Sequence, residues 1–136
     1  MQMTIESAQG KKPVTILALR GDLDASNFES VIAKAQELYS SGTRHLLLDL
    51  SELNFMSSSG LVALHSIILL MRGEKAPDPQ SGWAAFHALD RERDSGAQPY
   101  IKLLNPQPKV LTSLRKTGMD EFFEIFTDRQ AALASF

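Results

Sequence analysis

Residues 54–71 read NFMSSSGLVALHSIILLM. Ser57, Ser58, Ser59 and Gly60 stand between a strand-like run, HLLLDL, and one of the most apolar runs of the chain. Serine hydrogen-bonds to nearby backbone, which makes it a poor residue for a strand or helix interior and a good one for a helix start. The stretch SGLVALHSIILLMRG therefore predicts a helix that begins at Ser58 or Ser59 and stops at Gly73. Apolar residues almost encircle that helix, so most of its surface must be covered. The preceding RHLLLDLS is a short continuous apolar run, the pattern of a strand buried on both faces. A buried strand followed at once by a buried helix is the signature of an α/β layer.

The flanking segments extend this pattern. MTIESA and VTILALRG are short, rich in β-branched residues and separated by QGKKP, which predicts two antiparallel strands joined by a turn. In GDLDASNFESVIAKAQELYSSG the period changes. Phe28, Val31, Ile32, Ala35, Leu38 and Tyr39 recur at helical spacing. Ser26 with Glu29 forms a capping-box pattern, and Gly42 supplies a stop. Residues 74–99 carry prolines, glycines and DRERD, and predict an inserted loop with a helical turn around Trp83 to Leu89. YIKLLN returns to strand. NPQPKVLTSLRKTG predicts a helix with Asn105 as N-cap, Pro106 at its first position and Gly118 beyond its end. EFFEIF predicts a short strand, and TDRQAALASF a last helix with Thr127 and Gln130 as a second capping box. The expected architecture is one α/β domain over residues 1–136, a mixed sheet of about four or five strands covered by about four helices.

Composition narrows the function classes. The chain has 136 residues, a formal net charge of −2 and no cysteine. That balance disfavours a nucleic-acid face built on bulk positive charge. Without cysteine there are no disulfides, thiolate metal sites or cysteine nucleophiles. The apolar run at 61–71 is too short to span a bilayer, and no signal peptide is evident, so a cytoplasmic protein without direct membrane insertion is expected. A serine hydrolase would need a G-x-S-x-G elbow, and a phosphate-handling enzyme a G-x-x-x-x-G-K-[ST] loop. Both are absent, and so is H-E-x-x-H. The expectation is a protein that is not an enzyme, with no catalytic residue, no cofactor and no metal. His45, His65 and His87 lack metal-ligand spacing, and His65 is expected as a partly buried, satisfied histidine. Asp49 is expected to make local hydrogen bonds at a strand end.

Three strings in this order, RGDLDASNFESV, HLLLDLSELNFMSSSGLVAL and LRKTGMDEFFEIFTDRQAALASF, resemble the STAS domain, and more narrowly the bacterial anti-sigma-factor antagonists. The resemblance covers nearly the whole chain apart from 74–99. It implies a regulatory module that binds an anti-sigma factor. That partner is itself a kinase and phosphorylates a serine at the start of the second helix. A phosphatase would reverse the modification. Carried over residue by residue, Ser58 matches the phospho-acceptor, with Ser57 and Ser59 as fallbacks. Asp22, Asp24, Ser57, Ser58, Ser59, Gly60 and Leu61 match the partner-binding region. The family's motif has an acidic residue immediately before the acceptor, and here that position is Ser57. Without that carboxylate, and with the insert, an alternative stands beside the first. It is a STAS scaffold or transporter-associated subunit that is not phosphorylated, in a stress-signalling or lipid-transport complex.

Physical chemistry is compatible with a phospho-acceptor at this place. A phosphate adds about −1.5 to −2 charges and three acceptor oxygens. At a helix N-terminus it meets free N–H groups and the positive end of the dipole, so the fold tolerates it. Outside the resemblance, SSSG before an apolar helix is ordinary N-cap and turn chemistry, and Asp22 and Asp24 after a strand are ordinary turn residues.

Overall fold

A computed structural model of the chain describes residues 1–73 and 98–136. Strands β1 (Gln2–Gln9) and β2 (Pro13–Leu23) pair antiparallel, from Gln2 opposite Arg20 to Gln9 opposite Pro13. The chain then alternates: α1 (Phe28–Ser40), β3 (Leu46–Met56), α2 (Ser58–Met71), β4 (Ile101–Leu104) and α3 (Pro108–Thr117). A 3₁₀ turn (Met119–Phe122), β5 (Ile125–Phe126) and α4 (Arg129–Ser135) complete it. The five strands form one sheet in the order β1-β2-β3-β4-β5, and β2 to β5 pair parallel. This is the expected mixed sheet with four helices among the described residues. The expected helical turn near Trp83 and most of the 74–99 insert lie outside them.

Period-two alternation divides the apolar residues between two faces. Leu46, Leu48, Leu50, Ile101 and Leu103 pack with α1 (Val31, Ala35), α2 (Leu61, Leu64, Ile68) and α3 (Val110, Leu114) in the main core. Leu64 and Ile68 are fully buried. Val14, Ile16, Leu47 and Leu104 point the other way and pack under α4, against Ala132, Leu133 and Phe136. That second face also holds Lys102, whose side chain is buried. Its Nζ donates to the Ser135 carbonyl and to Ser135 Oγ, each at 3.0 Å, and lies 3.6 Å from Glu124 Oε2 and 4.9 Å from the Phe136 ring centroid. The buried ammonium is thus paired and hydrogen-bonded, the condition under which a charge is tolerated inside.

The helix starts differ from the expected caps. Helix α1 begins at Phe28 with Asn27 as N-cap, not Ser26. Ser26 is instead drawn back to Asp24, whose Oδ1 accepts from both the Ser26 amide and its hydroxyl. Helix α4 is capped by Asp128, whose carboxylate accepts from the Ala131 amide at 3.0 Å, and not by a Thr127–Gln130 box. Helix α3 begins at Pro108 with Gln107 as N-cap. Asn105 turns the chain at φ 53°, with its amide bonded to the Phe126 carbonyl. The Gln107 amide donates to the Ser51 carbonyl at 2.8 Å, which anchors α3 to β3. Gly118 does end α3, with φ 75°, a left-handed conformation that L side chains resist. In EFFEIF only Ile125 and Phe126 form strand, because Met119–Phe122 close into a 3₁₀ turn that buries Met119 and Phe122.

Candidate functional site

Parallel strands β2 and β3 end side by side, with Asp22 opposite Phe55 and Leu23 opposite Met56. The two following turns, and the starts of α1 and α2, therefore meet at one end of the sheet. In α/β sheets, that end beyond the carboxyl termini of the strands is the usual place for a site. A backbone bond from the Ser57 amide to the Leu23 carbonyl, at 2.9 Å, ties the two turns together. The topology thus brings Asp22, Asp24 and the three serines, which lie far apart in sequence, to one rim.

The β2–α1 turn is held by side chains. Asn27 accepts from the Asp24 amide and donates to the Asp22 carbonyl. The Ser26 hydroxyl, then its amide, hold the Asp24 carboxyl below the usual carboxylate range. Asp22 is exposed and Asp24 partly so. The Asp24 carboxylate is therefore ordered by local turn chemistry, and both acids face solvent.

On the other side, Ser58 is the first residue of α2 and is exposed. Ser59 is partly exposed, whereas Gly60 and Leu61 are buried. Gly60 allows a close approach. A Cβ there would lie 2.5 Å from Met56 Cγ and 3.0 Å from Leu23 Cγ, so the start of α2 sits down on the ends of both strands only because position 60 has no side chain. Ser57 is the N-cap in extended conformation, yet its hydroxyl makes no capping bond. Its Oγ is sealed from water and has no hydrogen-bond partner. Such a group costs about 1–3 kcal/mol when left unmade. Ser57 is thus a helix-start residue by position and not by bonding.

A groove of about 370 Å³ opens beside the serines, between the end of β3 and the last turn of α3. Phe55, Ser57, Ser58, Leu61, Ser113 and Lys116 are among its walls. Phe55 is 48% exposed, a large aromatic side chain left in solvent next to the exposed serine. Exposed aromatics of this kind are favoured at protein interfaces. Sequence reading passed over Phe55 and Lys116. The first belongs to a strand longer than RHLLLDLS suggested, since β3 runs on to Met56. The second comes from a helix more than fifty residues downstream. A usable signal existed for Phe55 alone, as an aromatic residue directly before a serine turn.

Other expected features fall elsewhere. His65 lies on α2 and is buried, at the second turn rather than at the rim. Asp49 sits within β3 and accepts from the Ser51 amide and hydroxyl, the local bonding expected of it. His87 and Trp83 lie outside the described residues. Among the described residues no three metal-ligating side chains come together, and no helix is long and apolar enough to cross a membrane.

Comparison with known proteins agrees with this geometry. The STAS domain model matches residues 7–75, half of the chain. An anti-sigma factor antagonist from Mycobacterium paratuberculosis superposes with a TM-score of 0.66 at 16% identity, over 98% of this chain and 92% of its own. A putative anti-sigma factor antagonist from Thermotoga maritima gives 0.67 at 17% identity, over 95% and 91%. The Bacillus cell fate determinant SpoIIAA in its phosphorylated form gives 0.54 at 18%, over 96% of each chain. At these identities the likeness is one of fold. An α/β sheet with its serine turn at the β3–α2 junction, matched by the family model across β2, β3 and α2, is what places the chain, and it belongs to the STAS domain family.

Proposed function

We propose that this protein is an anti-sigma-factor antagonist, a protein-binding module that engages an anti-sigma factor with kinase activity and is switched by phosphorylation of Ser58. The observation that carries the proposal is the exposed Ser58 at the start of α2, beside the half-exposed Phe55 and across the rim from Asp22 and Asp24. An exposed hydroxyl on a rigid helix start is open to a kinase. Phe55 supplies apolar area for a partner and the aspartates supply charge recognition. A phosphate on Ser58 would sit where N–H groups and the helix dipole accept it, so its effect falls on the partner interface. The role is regulatory and not catalytic. A phosphatase would reset the switch.

A second reading, a STAS scaffold or transporter-associated subunit without phosphorylation, is favoured by Ser57. The residue before the acceptor has no carboxylate to form an acidic mouth, and its hydroxyl is turned away from solvent. Incubation with candidate kinase partners, followed by mass spectrometry of the 54–72 peptide, separates the two. Phosphate on Ser58, lost in Ser58→Ala, supports the switch. Tight partner binding with no phosphate on any of the three serines supports the scaffold.

A further inference from the structure

We propose that a phosphoryl group on Ser58 does not project freely into solvent but folds onto the domain itself, with Lys116 as its counter-ion. The inference rests on Ser58 as the acceptor and adds where the phosphate goes. Two observations carry it. Ser58 and Lys116 line the same groove of about 370 Å³, room enough for a phosphoryl group. Lys116 makes no ion pair among the described residues, although Arg20, Lys34, Lys102 and Arg129 each do. It stands in the last turn of α3, where the helix dipole favours a cation whether or not an anion is near. With Lys116 and the start of α2, the groove brings together a cation and a helix N-terminus.

The chemical consequence is a charge reversal confined to one groove. Before modification it presents one ammonium. Afterwards the ammonium is neutralised and about half to one negative charge remains. A partner that docks against Lys116 would meet an anion in its place.

The test installs phosphoserine at position 58 by genetic code expansion in the full chain and follows its second ionisation by ³¹P NMR. The expected apparent pKa lies below that of a phosphorylated 54–62 peptide at the same salt. Lys116→Gln should raise it by about half a unit or more, and Lys116→Arg should restore it. Lys109→Gln and Arg115→Gln remove exposed cations of the same helix that do not line the groove, and should shift it by less than half as much. A phosphate that titrates as in the peptide, or that responds equally to Lys116→Gln and Lys109→Gln, overturns the proposal. Because the phosphate is installed without a kinase, this outcome is separate from whether any kinase modifies Ser58.

Discussion

Replacing Ser57 with alanine should leave the protein as stable as wild type or make it more stable by up to about 1 kcal/mol. A serine at an N-cap ordinarily contributes about 0.5–2 kcal/mol through a bond to the N2 or N3 amide. Ser57 makes no such bond, so there is nothing of that size to lose. Its Oγ is instead shielded from water with no partner, a state that costs about 1–3 kcal/mol relative to a satisfied hydroxyl. Alanine removes the unsatisfied group and keeps the Cβ, at the cost of a few lost dispersion contacts of about 0.1–0.2 kcal/mol each. The balance lies between zero and a small gain, a rise of about 3–5 °C in Tm for each kcal/mol in a chain of this size. Urea denaturation measures it, with the m-value required to stay constant. Asp128→Ala provides the internal contrast, because Asp128 does cap α4 and its loss should cost about 0.5–2 kcal/mol. A loss of about 1 kcal/mol or more in Ser57→Ala, equal to that in Asp128→Ala, would refute the reasoning and show that the hydroxyl caps α2 in solution.

Gly60→Ala gains about 1 kcal/mol of helix propensity but drives a Cβ to 2.5 Å from Met56 Cγ and 3.0 Å from Leu23 Cγ. Overpacking of this kind costs about 1–3 kcal/mol, so a net loss in the urea midpoint is expected, and a net gain would mean that Met56 and Leu23 swing clear. His45 lies at the opposite end of the sheet, where burial, then Lys12 and Lys102, lower its pKa, opposed by a hydrogen bond to the Pro13 backbone. The folded pKa is below the unfolded one, so stability is fully present above about pH 6.5 and is lost as pH falls toward the folded value. Histidine NMR titration should place His45 below 6.5 and show it moving upward in Lys12→Gln, while an unmoved resonance would remove Lys12 as a cause.

The alternation of strand and helix was legible because hydrophobic period survives without knowledge of the fold. The all-round apolar α2 and the two-sided Leu46–Leu50 run could only belong to a covered helix and a central strand. Caps were less legible, because several polar residues compete at each start and tertiary bonds choose among them. Asp24 claims Ser26, which leaves Asn27 at the cap. Of two prolines near the start of α3, Pro108 takes the first position because Gln107 is tied to Ser51. At the rim, the serines and Asp22 and Asp24 drew notice through the resemblance to the STAS domain, since their local strings read as cap and turn chemistry, whereas Lys116 enters only through the packing of α3 against β3. The buried Lys102 is a similar case. Within IKLL it looks like one polar residue in a strand, and its partners Ser135 and Glu124 come from elements that follow much later.

Calorimetric titration of wild type, Ser58→Ala and Ser58→Asp against the purified anti-sigma-factor partner, with phosphate incorporation measured on the same samples, tests the proposed switch most directly. Ser58→Ala should bind as wild type does and take up no phosphate, while Ser58→Asp, carrying about one of the phosphate's charges, should bind more weakly than either. Equal affinity for all three forms, with phosphate still entering Ser58→Ala, would contradict Ser58 as the switch.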